Sequence, residues 1–250
     1  MVEPRSVLIT GATGGIGAAL AQAYAAPGRT LYLHGRRVER LSELATQCRG
    51  SGAEVREKTL DFADTGATIA WCVEIAPHID LAILNAGVTS STRAGEGWPE
   101  IDHLMQVNLR AALAMCCVLM PAMERRGTGQ IAFVSSISAY HGLPVTPAYS
   151  ASKAALKAYG EALRGALAGS GVRINVVLPG FVRTPMSERF PGPKRCMLSP
   201  QEAASRIVRG LARDEPRISF PLLPSLFMRA LDLVPAAAAQ RVLRALGYGG

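Results

Sequence analysis

Short, nearly continuous apolar runs alternate along this chain with longer stretches whose apolar residues recur at helical spacing. The runs fall at 6–10, 30–34, 54–60, 80–84, 130–135, 172–178 and 217–220, those at 54–60 and 217–220 being mixed with charged and polar residues. A run that is apolar at successive positions reads as a strand covered on both faces, the mark of a parallel sheet. The intervening stretches predict helices ending near 26 and over 38–49, 65–76, 101–125 and 148–168. A further helix opens at Ser199-Pro200-Gln201-Glu202, where serine and glutamate stand three apart as a capping box. Alternating strands and helices imply an α/β fold with a doubly wound parallel sheet and right-handed crossovers. No repeat or linker divides the pattern, so it predicts one domain, residues 1–250.

Candidate chemistry sits at the carboxyl ends of the predicted strands, where open α/β sheets bind ligands. The first strand runs into Thr10-Gly11-Ala12-Thr13-Gly14-Gly15-Ile16-Gly17 and then an alanine-rich helix. Glycines at 11, 15 and 17 allow a tight turn and let backbone approach a pyrophosphate seated on the helix N-terminus. The second strand ends in Gly35-Arg36-Arg37. No acid stands there to bond ribose hydroxyls, and an arginine fork suits a phosphate. The alternative is that Arg36, Arg37 and Arg40 form a solvated helix start. The fifth run leads to Ser136, and Tyr149 and Lys153 follow, four residues apart on one predicted helix. Residues at i and i+4 share a face, so an ammonium lies near a phenol and favours its ionised form. Tyr149 is therefore the candidate general acid/base.

Ser136, Tyr-x-x-x-Lys at 149–153 and Thr-Gly-x-x-x-Gly-x-Gly at 10–17 together resemble the classical short-chain dehydrogenase/reductases, over about residues 6–187. The resemblance implies a Rossmann fold with strand order 3-2-1-4-5-6-7 and hydride transfer between a nicotinamide cofactor and a carbonyl or alcohol. It implies that Ser136 bonds the substrate oxygen, that Tyr149 exchanges its proton, and that Lys153 binds the nicotinamide ribose and lowers the tyrosine pKa. Asn108 would kink its helix and hold a water that relays protons to the lysine. Thr10, Gly11, Thr13, Gly14, Gly15, Ile16 and Gly17 would hold the dinucleotide, with Arg36 and Arg37 favouring NADP(H) over NAD(H). Asp61 and Phe62 would meet the adenine, and Asn85-Ala86-Gly87 would stabilise the sheet beside the cofactor. Pro179, Gly180, Val182 and Thr184 would hold the carboxamide. Substrate would touch Ser138, His141, Leu143, Val145 and a loop at 187–198. With NADPH, carbonyl reduction is the expected direction. The rival reading keeps fold and NADPH but senses rather than catalyses.

The family's helices also pair into a four-helix bundle, implying a homodimer or homotetramer. The residues assigned to the outward faces are Leu113, Met115, Cys116, Leu119 and Met123 on one helix, and Leu156, Tyr159, Leu163 and Leu167 on the other.

Composition adds limits. At 250 residues with 49% hydrophobic and 18% charged, the chain suits a compact soluble protein. Its first strand begins too early for a signal peptide, and no run of about 18 uncharged apolar residues occurs, so the expected location is cytoplasmic. Five cysteines without metal-type spacing read as reduced thiols and no metal site. The net charge of +8 is spread out, which does not fit nucleic-acid binding but allows attraction to an anionic cofactor or membrane surface. The tail, residues 221–250, is unusually apolar. It is expected to fold back as two short helices over the substrate entrance, covered by the body, a partner subunit or a membrane surface.

Overall fold

In the computed structural model, which describes residues 3–89, 96–190 and 192–249, the apolar runs form one parallel sheet. Its strands are β1 (Ser6–Ile9), β2 (Thr30–His34), β3 (Glu54–Lys58), β4 (Leu81–Leu84), β5 (Gly129–Val134), β6 (Val172–Pro179) and β7 (Arg217–Phe220). Their spatial order is β3-β2-β1-β4-β5-β6-β7, as the resemblance implies. The order reverses between β1, which pairs with β2, and β4 on its other side. That switch point opens the crevice in which such sheets bind ligands.

Side chains on each strand point alternately to two cores. Val7 and Ile9 face helices α1 (Gly15–Tyr24), α2 (Val38–Gly50) and α8 (Pro200–Ala212). Leu8, Ile131 and Phe133 face α3 (Thr65–Ile75), α5 (Ala111–Arg126) and α6 (Pro147–Ala166). Each fully buried leucine or phenylalanine contributes about 1.5–3 kcal/mol, which holds the strand ends in fixed positions.

The predicted helix over 101–125 is interrupted. It begins earlier as α4 (Trp98–Met105), passes through a π-helical turn at Gln106–Arg110, and resumes as α5. In that turn the Ala111 N–H bonds back to Gln106 O, five residues away rather than four. The composite helix Trp98–Arg126 has the length and hydropathy of a bilayer span, yet its inner face is part of the core. Met115, Cys116, Leu119 and Met123 are buried in this chain's own core with Leu156 and Leu167, and Tyr159 and Leu163 pack half-buried against them. This corrects the outward-face assignment: nearly all those positions are satisfied internally, and periodicity alone cannot say whether a helix face meets its own sheet or a partner. Leu113 is half-buried and Cys117 is exposed.

Most of the loop predicted at 89–97, residues 90–95, lies outside the described residues. The segment predicted as a substrate loop opens with a short helix, α7 (Pro185–Glu188), and is anchored where Leu198 pairs with Val182. Beyond β7 come α9 (Leu222–Ala230), a 3₁₀ turn at Leu231–Leu233, α10 (Ala236–Leu243) and a π-helical turn at Arg244–Tyr248. Met228, Leu231, Leu243 and Tyr248 form a third core with Tyr140, Leu143, Val176 and Leu178. The tail thus folds back onto the segment between β5 and α6.

Candidate active site

The base of the site is made by the ends of β1 and β4. Thr10 Oγ1 accepts the backbone N–H groups of Asn85 at 2.9 Å and Ala86 at 3.0 Å, while Asn85 Nδ2 donates to Thr10 O at 3.0 Å. These bonds spend the polar atoms of Thr10 and Asn85 on joining the two strands. Gly11 has φ +65°, and a Cβ there would lie 2.9 Å from Ala86 Cα, so glycine is required on both counts. A Cβ on Gly17 would fall 2.3 Å from Gly11 O. The helix therefore packs directly on the turn. Gly14 is the N-cap of α1, no side chain caps that end, and no acid stands in its first turn. Free N–H groups and a positive dipole end are thus available to an anion, the fit a pyrophosphate requires.

One contributor was missed in the sequence. His34 closes β2, and its Nδ1 accepts the Gly11 N–H at 3.3 Å while Nε2 donates to Leu60 O at 2.9 Å. Burial pushes its pKa down to about 4, so the ring is neutral and acts as a fixed bridge between the glycine turn and the end of β3. The only signal in the sequence was its place as the last strand residue before Gly35. Phe62 stacks on this ring at 3.9 Å and is buried, so its side chain belongs to the core; of the pair assigned to adenine, Asp61 alone is exposed.

Gly35 is buried, and a Cβ on it would lie 2.5 Å from the Thr13 methyl. Arg36 and Arg37 are both exposed, and the Arg37 guanidinium donates to Thr13 O. Arg37 is therefore tied to the glycine turn, whereas Arg36 stands in solvent beside it.

The chemical groups converge at the ends of β4 and β5. Tyr149 lies in the first turn of α6 with its phenol beside the Ser136 hydroxyl, which favours the ionised phenol. Ser136 is extended, and its Oγ also accepts the Ser138 N–H at 3.1 Å. One turn on, Lys153 is 3% exposed and its Nζ donates to Val134 O at 2.9 Å. That ammonium lies 5.7 Å from the centre of the Tyr149 ring. Burial lowers the lysine pKa to about 8. Burial also raises the Tyr149 pKa to about 12, the neighbouring Ser136 hydroxyl acting in the opposite direction. The expected lowering of the phenol is not seen here: Lys153 is turned to a carbonyl, and desolvation dominates.

Asn108 sits fully buried within the π turn. Its Oδ1 accepts the Val88 N–H at 2.7 Å, and its Nδ2 donates to Val88 O at 2.9 Å and Ser152 Oγ at 3.2 Å. The side chain is thereby occupied in fixing the segment after Gly87. A Cβ on Gly87 would lie 3.2 Å from Asn108 Oδ1 and 3.4 Å from Lys153 Nζ, which puts these three residues in one place.

The third wall follows β6. Pro179 is buried, Gly180 N–H bonds Phe220 O at 2.7 Å, and Val182 is buried in the core. Thr184 caps α7, and its methyl is what a Cβ on Gly15 would strike at 2.5 Å. Glycine turn and β6 loop therefore touch. Ile16 packs half-buried beside them.

Of the substrate-side residues, Ser138 is buried and its Oγ has no partner among the described residues. An orphan buried hydroxyl needs an explanation, and a bond to substrate is one. His141 is engaged elsewhere: its Nδ1 lies 2.9 Å from Asp232 Oδ1 of the tail. Leu143 and Val145 pack in the third core.

A glycine turn on a helix N-terminus beside a Ser, Tyr, Lys and Asn group, at the carboxyl edge of a doubly wound sheet, defines an oxidoreductase that works on CH–OH and C=O groups. The comparisons bring the class to a family. The short chain dehydrogenase model matches residues 5–193, and the chain belongs to that family. An uncharacterised oxidoreductase of Myxococcus xanthus is 31% identical over 95% of this chain and 97% of its own. A ketoacyl reductase of Nostoc is 30% identical over 97% of this chain and 89% of its own. A short-chain dehydrogenase from Sphingobium yanoikuyae, solved in complex with NADPH, superposes with a TM-score of 0.82 at 28% identity, covering 96% of this chain and 95% of that one.

Proposed function

We propose that this enzyme is NADP(H)-dependent and works physiologically as a carbonyl reductase, with Ser136, Tyr149, Lys153 and Asn108 as its machinery. The observation that carries the reading is the Ser136 hydroxyl beside the Tyr149 phenol, with Lys153 and Asn108 behind them. The nicotinamide supplies the hydride. Ser136 holds the substrate oxygen, and the Tyr149 phenol, kept protonated at neutral pH by its raised pKa, donates to that oxygen as the alkoxide forms. Lys153 places a charge behind the phenol and hydrogen-bonds the ribose, and proton resupply runs through the neighbourhood of Asn108. The glycine turn, with Arg36 beside Gly35, supports the phosphorylated cofactor, as does the NADPH held by the Sphingobium relative. A pure sensor has no chemical use for this set. The substrate is a small molecule bearing a ketone, aldehyde or acyl carbonyl, bonded also by Ser138.

The test is Tyr149→Phe, assayed by NADPH oxidation over a panel of carbonyl compounds. Loss of one positioned acid should lower kcat by roughly 10²–10⁴-fold, with NADPH binding retained. An unchanged kcat would sink the assignment. A cytoplasmic location, expected from the absence of a long apolar run in the sequence, and a homodimer or homotetramer, implied by the family resemblance, belong to the same proposal. A monomeric mass by light scattering at micromolar concentration overturns the assembly.

A further inference from the structure

The tail has two apolar faces. Inward, Met228, Leu231 and Leu243 close the third core. Outward, Leu222, Leu223, Leu226 and Phe227 of α9 are 66%, 76%, 48% and 38% exposed, followed by Leu233 at 87% and Val234 at 43%. With Val242 of α10, the tail holds seven of the twelve exposed large hydrophobic side chains among the described residues. Positions 222, 223, 226, 227 and 230 fall on one side of an α-helix, so α9 shows water a continuous apolar stripe. Soluble surfaces seldom leave such a stripe uncovered.

Charge identifies what covers it. Residues 221–250 contain Arg229, Arg241 and Arg244, and Asp232 is their one acid. All three arginines are exposed, and Asp232 is engaged by His141 at 2.9 Å. Arg195 adds a fourth exposed cation, close enough to the tail to act on Tyr248. A second copy of this chain would bring these cations against their own kind. A protein partner needs hydrogen bonds across its interface at about one per 100–200 Å², and the outer stripe of α9 offers alkyl and aryl groups alone. An apolar helix face in a tail whose exposed cations are arginines, Arg229 lying 5.7 Å over the Tyr140 ring, matches the boundary between lipid headgroups and acyl chains. We propose that α9 and α10 form a monotopic docking surface for an anionic lipid bilayer, the stripe lying in the plane of the membrane with the arginines on lipid phosphates.

The experiment is sedimentation of the full chain with vesicles of phosphatidylcholine alone and of phosphatidylcholine with phosphatidylglycerol in about equal parts. Binding should require the anionic lipid and fall when salt is raised to about 0.5 M. Arg241→Gln and Arg244→Gln should each weaken it roughly fivefold, and Leu223→Asp with Leu226→Asp should weaken it by roughly tenfold or more. Both leucines are exposed, so these variants keep their fold, checked by an unchanged NADPH affinity. Three results overturn the proposal: no sedimentation of the wild type with anionic vesicles, equal sedimentation of the Leu223→Asp/Leu226→Asp variant, or a self-associated species that this variant dissociates while the wild type ignores lipid.

Discussion

Lys153 is a buried cation whose charge is lost within an accessible pH range, which gives the site a measurable signature. Its pKa is lowered to about 8 because burial disfavours the ammonium. The charged form therefore exists below that value and disappears as pH rises through it. With that midpoint, about nine-tenths of the lysine is charged at about pH 7 and about one-tenth at about pH 9. A charge-assisted bond contributes about 1.5–3 kcal/mol, enough that the neutral amine serves the cofactor and the phenol poorly. We expect kcat/KM for NADPH in the reduction direction to fall about tenfold per unit above about pH 8, since this parameter reports the free enzyme. Tyr149, at about 12, does not titrate in this window, and His34, at about 4, is neutral throughout it. The assay is initial-rate NADPH oxidation at varied cofactor from about pH 7 to about pH 9.5, with the same series on Lys153→Arg. The guanidinium stays charged, so whatever activity this variant retains should show no limb near 8. A flat wild-type profile, or the same limb in Lys153→Arg, refutes the assignment.

Two further predictions rest on contacts at the glycine turn. Arg36→Ala should weaken NADPH by about 1.5–3 kcal/mol while leaving NADH nearly unchanged. Arg37→Ala frees Thr13 O and should weaken both cofactors; fluorescence titration with each distinguishes the pair, and equal losses for both cofactors in Arg36→Ala contradict the assignment. Gly15→Ala drives a methyl into Thr184 and should cost about 1–3 kcal/mol of cofactor binding or stability. Thr184→Ser, which removes the struck methyl, should restore part of that loss, and absence of any rescue shows that the damage lies elsewhere.

Strands β2 and β7 begin and end where the hydrophobic runs do, and the Ser199–Glu202 capping box forms as its spacing predicts. These features are local, so a local reading finds them. The order of the strands came from the family resemblance, since apolar runs do not say which neighbours pair. What escaped depends on contacts distant in sequence. The stretch 98–126 is helical by composition throughout, and its π turn at Gln106–Arg110 coincides with the seating of Asn108 on Val88, twenty residues earlier. Met115 and Leu119 face the sheet rather than a partner, which depends on how the helix is rotated in the finished fold. His34 looked like the end of a strand because Gly11 and Leu60 lie far from it along the chain. The phenol pKa departs from the expectation for a related reason. The spacing of Tyr149 and Lys153 brings the two together, but burial and the Val134 carbonyl decide the charge balance.

The fit of Gly35 against Thr13 constrains how this chain could change its cofactor over generations. An aspartate or glutamate at position 35, the residue that would recognise an unphosphorylated ribose, brings a Cβ to 2.5 Å from the Thr13 methyl. Taken first, that substitution has to push the Thr13 side chain aside before any new bond can form. Taken second, after Thr13→Ser has removed the methyl, it meets only the hydroxyl oxygen at 3.1 Å and the Cβ at 3.3 Å, close contacts that a shift of a few tenths of an ångström relieves. The two positions thus form an ordered path: descendants of this sequence that have moved to the other nicotinamide cofactor should carry a smaller residue at 13 together with the acid at 35, and lineages holding the acid beside an unaltered threonine should be rare.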